Sequence, residues 1–342
     1  MYGDVTVVVD AKDDLYSTHA ALQAHCPKEG CITVQPTPAN GSPAALAHDM
    51  LYALGKRLAP GPDTPDVWLD SVNTAWLAAS AWAIAAGVRH AVVPRAHLLT
   101  RRRIAQLLAW RQWTGARLTL LWQRAPHDLP PGLTQVEHRI TGRDQLDARL
   151  SSPCPLPARQ LTTLVSPAMT RAAAGGPGQS PAPPWREAQS ASTGPGRQAH
   201  SCTGATATAQ VAELVPASGI TSEDIAALSA LAHPLIAGTL SMLAITKASL
   251  GSLRFTRDLD VTGDVTVIKT HRSGHRHCPV HAIPAWARPL LSATRAHHRL
   301  TGRSPTDHMF APVMLAEARH LRAHAGRLPR LDLTMPASTL VS

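Results

Sequence analysis

Arg89-His-Ala-Val-Val-Pro94, then Arg101 to Thr114, then Arg117-Leu-Thr-Leu-Leu-Trp122 is the stretch on which the fold class turns. The outer two pieces are short apolar runs of strand length, and the middle one places Ile104, Leu107, Leu108 and Trp110 at helical spacing. Arg101-Arg102-Arg103 opens that helix and reads as its solvated face. A strand that is apolar throughout needs cover on both faces, and helices between successive strands supply it, which is the logic of a parallel sheet. The pattern extends toward the N-terminus. Trp76, Ala79, Trp82, Ala83 and Ala86 give a second helical stripe over Thr74 to Ala86, Asp66-Val-Trp-Leu-Asp70 reads as a buried strand, and Val5 to Val9 reads as a further one. Residues 1 to about 150 are therefore expected to form an α/β domain, a parallel sheet with flanking helices.

That scaffold suits a nucleotide site, but its motifs do not. A phosphate loop needs glycine-rich backbone after a strand, followed by Lys and a hydroxyl residue. The nearest string, Leu54-Gly55-Lys56-Arg57, lacks the first Gly and the hydroxyl and lies on a helical pattern. Cys26-Pro-Lys-Glu-Gly-Cys31 has wide spacing and no second cysteine pair, so two thiols are expected there rather than a structural zinc. The five cysteines are scattered and odd in number, which fits reduced thiols in a cytoplasm. No secretory leader is read at the N-terminus. No cofactor and no metal site are expected; near the C-terminus His275 and His277 share a strand face, while Cys278 points to the other.

Residues 151 to 210 lose all hydrophobic periodicity in runs such as Ala-Ala-Ala-Gly-Gly-Pro-Gly-Gln, and a disordered linker is expected. Pattern returns over 211–342. Thr221-Ser-Glu-Asp224 is a helix N-cap signature. The uncharged run Ile225 to Thr246 is long enough to span a bilayer, but its Ser229, His233, Pro234, Thr239 and Ser241 favour a buried helix pair, so no membrane is expected. A β-hairpin follows, Val265 to Lys269 and His277 to His281 joined through Arg272-Ser-Gly-His275, and then a helix over Pro284 to His298.

The chain carries a formal charge of +10, and the excess is concentrated. Val265 to Arg330 holds eleven Lys/Arg against two Asp/Glu, with nine of the 18 His. A basic face of that extent favours a polyanionic partner, nucleic acid first. With aromatics at 4%, base stacking on single strands is disfavoured and the phosphate backbone of duplex DNA is the expected target.

Leu253-Arg-Phe-Thr-Arg-Asp-Leu-Asp260, a strand ending at Lys269, a Gly-containing turn, a return strand, Pro284 with its following helix, and Asp307-His-Met-Phe310 recur in one order. In that order residues 222–312 resemble the catalytic domain of the tyrosine recombinase (phage integrase) family. The resemblance implies a mainly helical C-terminal domain with a small β-hairpin, and a site of two Arg with a Lys/His set clamping a phosphate attacked by Tyr. The hairpin Lys corresponds to Lys269, or its place is taken by Arg272 in the turn, and the vestige of the His-x-x-Arg box is His324-Ala-Gly-Arg327. The first clamp Arg falls at Thr246, beside Lys247, and Lys cannot reproduce bidentate phosphate binding. The nucleophile is missing, since Tyr2, Tyr16 and Tyr52 all lie in the other domain. No catalysis is expected. What remains is a DNA-binding relative carried by a mobile element, its phosphate contacts coming from Arg254, Arg257, Lys269, Arg272, Arg276, Arg295, Arg299 and Arg303. The other readings are a protein–protein adaptor working through its N-terminal α/β domain, and a truncated integrase whose nucleophile-bearing tail is lost.

Overall fold

The computed structural model describes residues 5–38, 42–58, 69, 71–134, 138–140, 142–151, 220–248, 250–271 and 278–310. All of them fall in one compact unit made of 1–165 and 214–342. Strands β1 (Val5–Val9), β2 (Cys31–Thr33), β3 (His90–Val93), β4 (Arg117–Trp122) and β5 (His138–Ile140) form a single sheet in the order β2-β3-β4-β1-β5. Every neighbouring pair in it is parallel, as the apolar runs require. The helices of this half are α1 (Leu15–Gln23), α2 (Ala45–Ala53), α3 (Val72–Ala85), α4 (Arg101–Thr114), α5 (Pro131–Thr134) and α6 (Arg143–Ser151). Residues 66–68 and 70 of the expected strand at Asp66–Asp70 lie outside the described residues.

Local chemistry sets the boundaries. Thr100 caps α4 by accepting from the Arg103 amide, and Gly115 ends it in the left-handed conformation. Ser71 caps α3, so that helix starts at Val72, two residues before the point its apolar stripe suggests. Gly30 (φ 77°) is required at the turn into β2, because a Cβ there would lie 2.6 Å from the Gly87 carbonyl oxygen. Cys26 and Cys31 flank this turn and exchange backbone hydrogen bonds at 2.9 and 3.1 Å without forming a disulfide.

Of the linker expected over 151–210, Ser151 ends α6 and the rest lies outside the described residues; from 220 onward the described residues are mainly helical. They form α7 (Ser222–Ala230), α8 (Pro234–Thr246), α9 (Leu250–Leu253) and α10 (Arg288–Leu300). The Thr221–Asp224 capping box opens α7 as its signature implies. Between α9 and α10 lies an antiparallel pair, β6 (Val267–Lys269) with β7 (Val280–Ala282); residues 272–277 are outside the described residues. β6 begins two residues later than its Val/Ile pattern suggests. Val265 sits at φ 57°, a costly conformation for a β-branched residue, and ends a turn closed by its amide on the Thr262 carbonyl. Likewise α10 begins at Arg288, because Pro284 to Ala287 form a turn before Pro289 can take an early helical position.

The segments on either side of 152–219 pack against each other. Residues Ala75 to Ala83 of α3 are buried without a break, the mark of a helix with no solvent face. Its neighbours are α2 and α4 on one side of the sequence and α8 and α10 on the other. The Trp82 indole donates to the Ala232 carbonyl at 2.6 Å, and the Arg57 amide donates to that of Ala230. The Lys56 ammonium lies 3.3 Å from the Trp82 ring centroid and donates to the Ser229 carbonyl. Burial lowers its pKa to about 8. Leu54-Gly55-Lys56-Arg57 is thus a packing junction between the two segments.

Three histidines lie at the joint of α8 and α10. His233 caps α8 by accepting the Leu235 amide on Nδ1, and its ring stands 5.6 Å from that of His297. Burial, then the charges of His298 and Arg303, lowers the His297 pKa to about 4, and burial lowers that of His298. The unfolded chain then binds protons that the folded chain refuses, so stability rises with pH across this range. We predict a loss on the order of 3 kcal/mol from His297 as pH falls from about 6.5 to about 4. Urea unfolding at pH 7.5 and at pH 4.5 measures it. His297→Gln should remove most of that difference, and an equal difference in the variant would refute the assignment.

Candidate functional site

The turn Asp258-Leu259-Asp260 is the hub of the basic region. The Asp258 side chain is fully buried and accepts from Nε of both Arg295 and Arg299, the latter at 2.8 Å. These arginines are four apart on α10 and therefore share a face. Arg295 also donates to the Thr262 carbonyl at 2.8 Å. Asp260 accepts the Arg257 amide at 2.8 Å, lies 3.5 Å from Arg257 Nε, and on its other side lies 3.0 Å from His271 Nε2. The hub is closed by the segment around Phe310: the Met309 amide donates to the Thr256 carbonyl, and Arg257 bridges to His308. Two carboxylates thus gather three guanidiniums and one imidazole from three parts of the chain. Such buried pairs contribute little net stability compared with well-packed apolar groups, but they fix geometry and are costly to break.

Of the other expected phosphate contacts, Arg254, Lys269 and Arg303 are among the described residues. Arg254 is exposed and stacks over the Phe255 ring at 4.6 Å, while Phe255 in turn meets His308 edge-on. Lys269 is half-buried at the end of β6, two positions before His271. Arg303 is half-buried just beyond α10. Arg272, Arg276, His324 and Arg327 lie outside the described residues. Arg295 differs from the rest: its side chain is only 12% exposed, against 33% for Arg257 and 31% for Arg299. It works as an internal anchor. The position matched to the first clamp arginine ends a helix, with Thr246 bonded back to the Met242 carbonyl and Lys247 in the left-handed conformation.

No family model, curated protein or solved structure matches the chain. The site therefore stands on its own geometry.

Charge counting finds the arginines but misses Asp258, Asp260 and His271, which organise them. The only local signal was the Asp-x-Asp spacing between Arg257 and the following strand; the partners lie 37 and 41 residues away. At the carboxyl end of β1, on the edge where α/β proteins commonly bind ligands, the loop makes polar contacts of its own. Asp10 accepts the Asp14 amide, and Asp14 caps α1 and pairs with Arg143. Accepting from the Tyr16 amide and then from Arg143 lowers the Asp14 pKa. Among the described residues no group of three or more His, Cys, Asp or Glu is arranged to hold a metal ion, and no helix is long and apolar enough to cross a membrane.

Proposed function

We propose that the chain binds duplex DNA through the region around the Asp258–Asp260 hub, as a non-catalytic relative of the tyrosine recombinases acting in the cytoplasm. The observation that carries this reading is the convergence of Arg257, Arg295 and Arg299 on two buried carboxylates, with Arg254 exposed beside them. Arg295 anchors the cluster from inside, while Arg257 and Arg299 are partly exposed and already held in place, so they lose less freedom on meeting a phosphate. The ordered elements from Leu253 to Phe310 support the family reading, and the confinement of all three Tyr to the first 52 residues supports the absence of a nucleophile. The recombinase-like fold of the C-terminal part belongs to the same proposal.

The hub itself is nearly neutral. Three arginines against two aspartates leave a charge of +1 with His271 uncharged. The counterion release that drives phosphate binding must therefore come chiefly from charges beyond the hub, Arg254, Lys269 and Arg303, together with Arg272 and Arg276 of the same basic stretch. Arg254→Ala and Lys269→Ala should each weaken binding across all sequences and reduce the slope of log K against log salt by about 1. Arg295→Ala should instead lower folding stability and leave the slope of the folded fraction unchanged. Fluorescence anisotropy with a labelled duplex over a salt series measures both. Equal slopes for wild type, Arg254→Ala and Lys269→Ala would remove these residues from the interface.

A further inference from the structure

The register of β6 on β7 places two reactive side chains face to face. Ile268 lies opposite His281 and Lys269 opposite Val280, and the Thr270 amide continues the ladder to the Pro279 carbonyl at 3.0 Å. The next residues in register are His271 and Cys278. Directly opposed residues of an antiparallel pair project on the same face, and His271 Nδ1 lies 3.2 Å from Cys278 Sγ. The far side of the same ring completes the arrangement, with Nε2 3.0 Å from Asp260 Oδ2. That second contact is a charge contact rather than an aligned hydrogen bond. Asp260 is 5% exposed and His271 16%, so the carboxylate acts on the ring with little screening, while Cys278 is half-buried and not in a disulfide.

We propose that Cys278 is an activated thiol, a modification site for small soft electrophiles, with His271 as its proton acceptor and Asp260 as the charge that steadies the imidazolium. The thiolate is the reactive form of cysteine, and a neighbouring imidazolium stabilises it. A base oriented by a third group is the general arrangement of activated nucleophiles. Among the described residues, the other charged and titratable groups near the pair are Arg257, which shares Asp260, Lys269 two residues before His271, and His281, whose Nε2 bonds the Thr270 hydroxyl. Because thiol and carboxylate sit on opposite nitrogens of one ring, they do not converge on a common point. The arrangement suits proton transfer rather than metal binding.

With an alkyl halide the step balances simply. The sulfur–carbon bond forms, the carbon–halogen bond breaks and halide leaves, and the thiol proton stays on His271. With a hydroperoxide the sulfur takes the distal oxygen, the O–O bond breaks, and the leaving oxygen takes that proton, leaving a sulfenic acid.

Iodoacetamide alkylation of the full chain, followed peptide by peptide by mass spectrometry from pH 5 to 10, tests the site, with Cys26 and Cys31 as internal references. Cys278 should react with a midpoint at least one unit below the roughly 8.5 of an ordinary thiol. His271→Asn should return the midpoint to the ordinary range and slow alkylation of Cys278 at pH 6.5 about tenfold. An ordinary midpoint for Cys278 in the wild-type chain overturns the proposal without any variant, and so does a low midpoint that His271→Asn leaves in place. The outcome is independent of whether the chain binds DNA.

Discussion

Asp258→Ala should lower the unfolding free energy by about 3–5 kcal/mol, the usual cost of leaving a buried charge without its partner. The carboxylate is fully buried and holds two guanidiniums, one of them only 12% exposed, so its removal strands Arg295 in the interior. The loss arises from that stranded charge rather than from any net value of the pair. Replacing both groups by apolar ones, Asp258→Leu with Arg295→Met, should therefore recover most of it, leaving the more exposed Arg299 to turn to water. Urea unfolding of the three proteins measures these differences. A loss of less than about 1 kcal/mol in Asp258→Ala would show that the hub is not the organising element of this region.

The second large effect is expected at Gly238, where α8 crosses α10. A Cβ at this position would lie 1.9 Å from Thr294 Oγ1 and 3.0 Å from Thr294 Cβ. Swinging the Thr294 hydroxyl aside would cost its hydrogen bonding, since its one proton lies between the carbonyls of Pro234 and Leu290. Gly238→Ala must push the helices apart, at a cost of about 3 kcal/mol, the upper end of the range for overpacking. Thr294→Ala removes the closest atoms, so combining the two changes should return at least about 1 kcal/mol relative to the sum of the single effects. Because α10 also packs on α3, the separation should be felt across the unit. Tryptophan fluorescence, which reports mainly on α3, α4 and β4, should unfold together with the far-ultraviolet helix signal. Two separated transitions would show that the segments before and after residues 152–219 are energetically independent.

How much of this could be read from the amino-acid order depends on the range of the interaction. Val5–Val9, Arg117–Trp122 and Arg101–Thr114 coincide with their elements to the residue, because strand composition, helical spacing and the Thr100 and Gly115 caps are all local. The strands that escape notice, Cys31–Thr33 and His138–Ile140, are three residues long and lie at the two edges of the sheet. A three-residue edge strand leaves almost no pattern. Val265 misleads because Val favours strands, whereas the turn after Thr262 dictates its backbone. The site was legible as a surplus of charge and illegible as geometry. Arg295 and Arg257 look alike in a charge count, yet one anchors the interior and the other is one-third exposed. His271 and Cys278 become partners only through the β6–β7 register, and the packing of Lys56 and Trp82 on residues 229–232 has no local signature.

The proposed function rests on whether the basic region around Asp258 and Asp260 engages duplex DNA. The direct measurement is fluorescence anisotropy of a labelled duplex titrated with the full chain, repeated from low to moderate salt. Several phosphate contacts predict clear binding at low salt and a steep, linear fall of log K with log salt, with a slope of about −0.9 for each phosphate neutralised. Absence of binding at the lowest salt, or an affinity that does not change with salt, would contradict it.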